Sequence, residues 1–209
     1  FDRKKPTNSE LPAAVNVLRG WNGQMDKDAA APMVVSLAFQ KLRTKIVNRA
    51  APGRAASYLD QMSPAVMERL LRERPKEWFA DWDKVLIECL DEAIEDREGR
   101  RAQGSDFSRW QYGRYNDLTV PNFVLSNIPV AGEWLGGWFN VGPVAMSGSS
   151  STVKQTGRTV GPSMRFVADL ADWNNSRMNV TIGQSGHAMS ANYRDQWEPY
   201  WAGRGIAFP

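Results

Sequence analysis

The sequence predicts an α+β chain, helical up to about residue 104 and mostly β-structured from 105 to 209. Two patterns carry this reading. Apolar residues recur at helical spacing through the first half, and from Ser105 glycine, tryptophan and β-branched residues rise while the spacing turns to alternation. A third observation bounds the size: 209 residues, 42% hydrophobic and 23% charged, have an ordinary globular balance and enough length for a sizeable core. The expected regions are a helical one over 1–104 and a β-rich one over 105–209.

Residues 1–8 are a polar lead-in. Ser9-Glu10-Leu11-Pro12 can start a short helix through Leu18, and Gly20 to Asp26 is a loop. Asp28 stands where a helix cap is wanted, ahead of a helix carrying Val35, Ala38, Phe39, Leu42 and Ile46 on one face. Asn22, Asp26 and Asp28 invite a calcium reading, but the twelve-residue loop and its closing Glu are missing, so turn and cap duty is expected. After a Pro/Gly/Ala break over 50–57, Ser63-Pro64 opens a helix with Val66, Met67, Leu70 and Leu71, which Pro75 stops. The clearest helix follows. Trp82, Val85, Leu86, Cys89, Leu90, Ala93 and Ile94 share one face, and Lys84, Glu88, Asp91, Glu92 and Glu95 face away. On that apolar stripe Cys89 reads as a buried structural cysteine, since a reactive thiol needs an electropositive, partly open setting. Gly99 to Gly104 ends the helical half.

In the second half, Met164, Phe166 and Ala168 alternate with Arg165, Val167 and Asp169, the period of a half-buried strand. Asp172 to Ser176 is a polar break, and Met178, Val180 and Ile182 resume the alternation, which makes a hairpin. Gly183 and Gly186 bracket Gln184 and Ser185 in a further turn, where glycine permits backbone angles that a β-carbon would forbid. A short helix or turn is expected over Tyr193–Trp201.

Several functions are disfavoured. The net charge of +3 is spread out, and its densest basic runs, Arg3-Lys4-Lys5 and Arg97 to Arg101, are short and interrupted or flanked by acids, so no nucleic-acid partner is expected. No apolar run approaches the ~20 residues that span a bilayer, so no membrane partner is expected either. The sequence opens with neither an initiator Met nor a signal-peptide pattern, which leads us to expect a chain that starts inside a longer gene product. Ser185, His187 and Asp195 can be drawn as a triad, but no G-x-S-x-G elbow precedes them, and a surface-loop histidine is expected instead. One Cys and one His cannot supply a zinc site. Gly132 to Gly137 offers no phosphate cradle. Among nine tryptophans, Trp82, Trp110 and Trp197 fall in patterned segments and are expected in packing.

Gly161-Pro162-Ser163-Met164-Arg165, Gly183-Gln184-Ser185-Gly186 with Ser190, and Tyr193-Arg194-Asp195-Gln196 keep the order and spacing of a longer pattern. This run resembles the C-terminal end of the β chain in the penicillin amidase family, which includes penicillin, cephalosporin and homoserine-lactone acylases. Arg165, Gly183, Gln184, Ser185, Gly186, Tyr193, Asp195 and Gln196 carry that motif and are expected to be structural. Trp21 to Asp26 resembles the family's W-D-G-x-M stretch, with Asn22 where Asp is usual. Arg109 to Asn116 resembles its x-W-x-x-G-x-x-H segment, with Asn116 in place of His, and a second usual His is replaced by Asn122 or lost. Phe139 to Val153 looks like the family's glycine-rich turn and T-V strand. Ser151 and Thr152 thereby become possible near-site residues, Ser151 standing where some relatives have an acid.

The resemblance implies a piece of the αββα sandwich of N-terminal-nucleophile hydrolases. In such enzymes autocatalytic cleavage of a zymogen exposes a Ser whose own α-amino group is the base. Phe1 has no nucleophile, so no catalytic residue is expected in this fragment, which alone should be inactive. The implied substrate is a small N-acyl compound, such as a β-lactam or an N-acyl homoserine lactone. The implied partners are the rest of the precursor, its α chain and the N-terminal part of its β chain. No cofactor or metal is expected from these residues, although the parent enzyme could hold calcium, and the periplasm or secretion is the implied location. The rival reading is a non-catalytic binding module that uses exposed aromatics.

Overall fold

The computed structural model describes residues 8–54, 57–59, 62–96, 104 and 106–207. Among them are six α-helices and five short strands, a mixed α+β chain that divides into two compact units between Tyr115 and Asn116. Phe1, the two basic runs and most of 97–105 lie outside the described residues.

The first unit is helical. It comprises α1 (Leu11–Arg19), α2 (Ala31–Ala50), α3 (Pro64–Glu73) and α4 (Trp82–Ile94). α1 has Pro12 in its first turn and gives way to Gly20. Ser63 caps α3, its hydroxyl accepting from the Ala65 amide, and Pro64 follows in the first turn. Asp81 caps α4 through the Lys84 amide. Two apolar clusters share α2: Met33, Val34 and Leu37 pack with Leu11, Ala14, Ala93 and Ile94, while Leu42 and Ile46 pack with Met67, Leu70, Trp82 and Cys89.

Two local expectations change here. Val35, Ala38 and Phe39 are only half-buried, and Met33, Val34, Leu37 and Val47 are buried instead. With α1 and α4 both packed on α2, the buried sector is wider than one stripe and rotated. Asp28 is not a cap: α2 starts from Ala30, and Asp28 ion-pairs with Lys27 at 2.6 Å while Asp26 accepts from its amide at 3.0 Å. Pro32, in the first turn, brings no amide that a cap would have to satisfy.

The helical unit runs on past the compositional change at Ser105. Two 3₁₀ turns, Phe107–Arg109 and Tyr112–Arg114, close it. The Tyr112 and Gly113 amides donate to Ala29 O and Lys27 O at 3.0 and 2.7 Å, and buried Trp110 donates through Nε1 to Gly104 O at 2.9 Å.

The second unit holds β1 (Asp117–Val120), α5 (Gly132–Phe139), β2 (Val141–Ala145), β3 (Met164–Val167), β4 (Arg177–Val180), α6 (Trp197–Ala202) and β5 (Ile206–Ala207). β1 and β2 pair antiparallel, and β3-β4-β5 form a second antiparallel sheet. The strands are two to five residues long, so this unit is largely loop rather than mostly β. The expected strand at Thr152-Val153 is a turn. α5 forms despite three glycines, which disfavour helix. Close approach explains two of them: a β-carbon at Gly132 would strike Ser126 O, and one at Gly136 would meet Asn140 Nδ2 at 3.0 Å, whereas Gly137 has open space around it. The unit's buried cluster is small, Leu118, Met146 and Tyr200 with partly buried Val120, Val144, Trp197 and Trp201 around them.

The β3–β4 hairpin forms with Met164 opposite Val180 and Phe166 opposite Met178. The face that carries Arg165 and Asn179 is covered only in part: Arg165 is half-buried and Asn179 is 1% exposed, while Val167 beside them is 58% exposed and Met164, Phe166 and Ala168 on the other face are exposed as well. The reason lies in α6, whose buried Tyr200 sits under Arg165.

Candidate functional site

The motif residues converge on three nodes in the second unit. The first is the loop from Ser147 to Thr156, which contains Ser151 and Thr152. Gly148 has φ +100°, where a side chain is strained, and a β-carbon there would also strike Lys154 O. Thr152 Oγ1 accepts from the Ser149 amide at 2.8 Å and donates to Lys154 O at 2.9 Å, and the Ser151 amide donates to Ser149 Oγ at 3.2 Å. Ser151 is exposed and Thr152 is half-buried. Asn116 pins the loop from beneath. At 3% exposure its Nδ2 donates to Met146 O at 3.0 Å, Gly148 O at 3.2 Å and Thr156 Oγ1 at 2.9 Å. The residue standing where the family pattern has histidine is thus a buried clamp.

The second node is Arg165. Its Nη2 donates to Tyr200 O at 3.0 Å, and its guanidinium carbon lies 5.4 Å from the Tyr200 ring centroid. Burial, and then the Arg165 charge, hold the Lys154 ammonium below its ordinary pKa. Burial also pushes the Tyr200 phenol up.

The third node is the Gly183–Gln196 loop. Neither Gly183 nor Gly186 has a positive φ, so the expected conformational reason for them does not apply. Gly183 is needed for space, because a β-carbon would strike Asn192 O and come within 2.6 Å of Asp195 Oδ1 and 2.8 Å of Tyr193 O. Gly186 has open space around it. Gln196 closes the loop: its amide donates to Ile182 O at 2.9 Å, and its Oε1 accepts from the Val180 amide at 2.8 Å. Tyr193, 3% exposed, donates through its hydroxyl to Phe139 O at 2.8 Å and accepts from Asn122 Nδ2 at 2.9 Å. Gln184 is exposed.

Nucleophile chemistry does not assemble among these groups. Ser185 Oγ accepts from the backbone amide of His187 at 3.1 Å, and His187 Nδ1 accepts from the Met189 amide at 3.3 Å, so the imidazole is spent on a local turn rather than on the serine. Cys89 is 1% exposed, and burial pushes its thiol up to about 11, far from a working thiolate. Asn22 accepts from the Gln24 amide at 3.0 Å, which is turn duty. Among the described residues no group of three or more His, Cys, Asp or Glu is placed to hold a metal ion, and no helix is long and apolar enough to cross a membrane. A cavity of about 670 Å³ in the helical unit, lined by Val47, Ala50, Arg54, Tyr58 and Met62 among others, carries no nucleophile with a base beside it.

Sequence reasoning passed over three features. The Tyr200 anchor, the burial of Asn179 and the proximity of Lys154 to Arg165 all depend on which strand face meets α6, and alternation alone does not say.

The arrangement is that of an α+β scaffold whose motif residues tie loops to strands and to a short terminal helix. The chain belongs to the penicillin amidase family, whose profile matches residues 3–209. It is similar to an acyl-homoserine lactone acylase, QuiP, of Pseudomonas syringae pv. tomato, 29% identical over 137 residues, which is 62% of this chain and 16% of that protein. It is also similar to the penicillin acylase 2 proenzyme of Pseudomonas sp. strain SE83, 26% identical over 208 residues, 88% of this chain and 24% of that protein. The chain therefore spans about a sixth to a quarter of the length of the curated relatives it matches.

Proposed function

We propose that this chain is the C-terminal part of the β chain of an N-terminal-nucleophile amidohydrolase that cleaves N-acyl compounds. The observation that carries the reading is the family match over residues 3–209, joined to relatives named as acylases. The nucleophile then lies in a part of the polypeptide outside this chain, consistent with the spent His187 and the buried Cys89. In the proposed reaction a serine hydroxyl, deprotonated by its own α-amino group, attacks the amide carbonyl; the amine leaves with that proton, and water then hydrolyses the acyl-enzyme. The role of this chain is to complete the αββα sandwich, with β3-β4-β5 among its strands and α6 on one face. Ser151 and Thr152, on a loop held by Asn116, are the residues here assigned closest to the reacting centre. A β-lactam or an N-acyl homoserine lactone is the proposed substrate, the rest of the precursor is the proposed partner, and the periplasm or exterior is the proposed location.

The test is hydrolysis of a panel of N-acyl homoserine lactones and penicillins, by the full gene product and by this chain alone. We expect amine release from the full product and none from the chain. A second reading, a non-catalytic binding module, draws on Trp134 and Trp138, each 67% exposed with ring centroids 6.2 Å apart. It predicts saturable ligand binding by the chain alone and quenching of its tryptophan fluorescence.

A further inference from the structure

The loop between α1 and α2 holds the only Asn-Gly pair in the sequence, Asn22-Gly23. Every other asparagine precedes a residue that carries a β-carbon. An Asn-Gly pair can react with itself: the backbone nitrogen of the glycine attacks the side-chain carbonyl carbon of the asparagine and closes a five-membered imide. Three things oppose that attack, namely a β-carbon on the attacking residue, burial, and hydrogen bonds that tie up the groups that must move.

All three are missing here. Asn22, Gly23 and Gln24 are exposed. Gly23 has φ +82°, and nothing lies within 4 Å of the place a β-carbon would take. Among the described residues neither the Gly23 amide nor Asn22 Nδ2 makes a hydrogen bond, so the nucleophile and the leaving group are both free. The one atom of the pair that is held is the one the reaction charges. Asn22 Oδ1 accepts from the Gln24 amide at 3.0 Å, a donor aimed at the oxygen that gathers negative charge as nitrogen adds to the carbonyl. Trp21 Nε1 donates to Gln24 O at 2.7 Å and keeps that residue in place.

We propose that Asn22-Gly23 is a self-modifying site, at which the folded protein converts its asparagine to a mixture of aspartate and isoaspartate. The Gly23 nitrogen gives its proton to a solvent base and bonds to Asn22 Cγ. The Cγ–Nδ2 bond breaks, and ammonia leaves with a proton returned by solvent. Water then opens the imide at either carbonyl. Opening at Cγ restores the backbone with aspartate at position 22, and opening at the Asn22 main-chain carbonyl routes the backbone through the side chain as isoaspartate. Either product adds a carboxylate and lowers the net charge from +3 to +2. Aspartate keeps an oxygen for the Gln24 amide, whereas isoaspartate adds a methylene to the backbone and loses that turn. The extra length falls in the link between α1 and α2, whose Leu11 and Met33 share one apolar cluster. Nothing in this inference depends on the acylase reading.

The full gene product would be held at mildly alkaline pH, native and guanidinium-unfolded. The peptide containing Asn22 is followed by the mass gain of an amide-to-acid exchange, and isoaspartate by a methyltransferase that labels it. The native protein should lose the Asn22 amide at a rate within about tenfold of the unfolded one, because an exposed loop opens at little cost. Both products should form, and the rate should rise with pH as the attacking nitrogen loses its proton more readily. Gly23→Ala should slow the loss about tenfold or more, since a β-carbon then hinders the attack. The same slowing in the unfolded variant separates that effect from any change in folding. Native loss more than about tenfold slower than unfolded would overturn the proposal, since the fold would then be holding the groups apart. So would conversion to aspartate alone, the mark of direct hydrolysis of the side-chain amide. Loss no faster than at Asn48, an exposed asparagine on α2 that precedes Arg49, or a rate unchanged in Gly23→Ala, would overturn it as well.

Discussion

Asn116→Leu removes the clamp beneath the Ser147–Thr156 loop while keeping the branching and number of side-chain heavy atoms. The Asn116 amide has two N–H groups, shared among Met146 O, Gly148 O and Thr156 Oγ1 at 3.0, 3.2 and 2.9 Å. Thr156 keeps a bond of its own to Ser147 O at 3.1 Å, so the loss falls mainly on two carbonyls next to a buried site. A buried acceptor left unpaired costs about 1–3 kcal/mol, so the substitution should destabilise the loop by about 2–4 kcal/mol. Among the described residues the unit's buried cluster is small, Leu118, Met146 and Tyr200, so few packed neighbours absorb that loss. The assay is hydrogen exchange at the Met146 and Thr156 amides, which bond to Asn116 O and Ser149 O. Exchange should accelerate about 30- to 1,000-fold, the same free energy read as local opening. Asn116→His, which returns one N–H donor, should recover roughly half of it. Exchange within threefold of the parent chain in Asn116→Leu would show that the clamp does not hold the loop.

Val130 has φ +67° and a fully exposed side chain, so Val130→Gly should relieve strain and raise stability by about 1 kcal/mol in urea unfolding. Gly183→Ala should cost about 2 kcal/mol, since its β-carbon would strike Asn192 O, whereas Gly186→Ala, in open space, should be nearly silent in the same assay. With its pKa near 11, the Cys89 thiol has on the order of one thiolate in a thousand at pH 8, so it should resist an aromatic disulfide reagent until urea exposes it. Backbone hydrogen bonds from Asp172 and Ala171 hold the Asp169 carboxyl below its ordinary range. Because its folded pKa is depressed, its stabilisation of the β3–β4 connection is present above about pH 4 and fades as pH falls through the folded value. Asp169→Ala should abolish that acid dependence in amide exchange over residues 169–172.

Much of the helical unit was legible from periodicity and punctuation. Ser63-Pro64 and Pro75 bound α3, and the Trp82–Ile94 stripe is the buried face of α4. A central helix such as α2 reads less well, because two packed neighbours widen its buried sector beyond one stripe. The second unit hid more. α5 has the composition of a loop, and only the tight approach of Ser126 and Asn140 explains Gly132 and Gly136. The β3–β4 alternation gave the strand period but not which residues are covered, since that depends on where Tyr200 of α6 packs. Asn116 illustrates the limit at the candidate site: its position in the family-like segment was visible, and its three acceptors, about thirty to forty residues downstream, were not.

The central claim is that catalysis belongs to a longer polypeptide and that this chain serves it as scaffold. The most direct measurement joins N-terminal sequencing and intact mass of the native gene product to its hydrolysis of N-acyl homoserine lactones and penicillins. The account predicts an active product that contains a chain beginning with Ser and running through these residues, and no hydrolysis by the 209-residue chain alone. Turnover by this chain by itself, or a native product without such a serine, would contradict it.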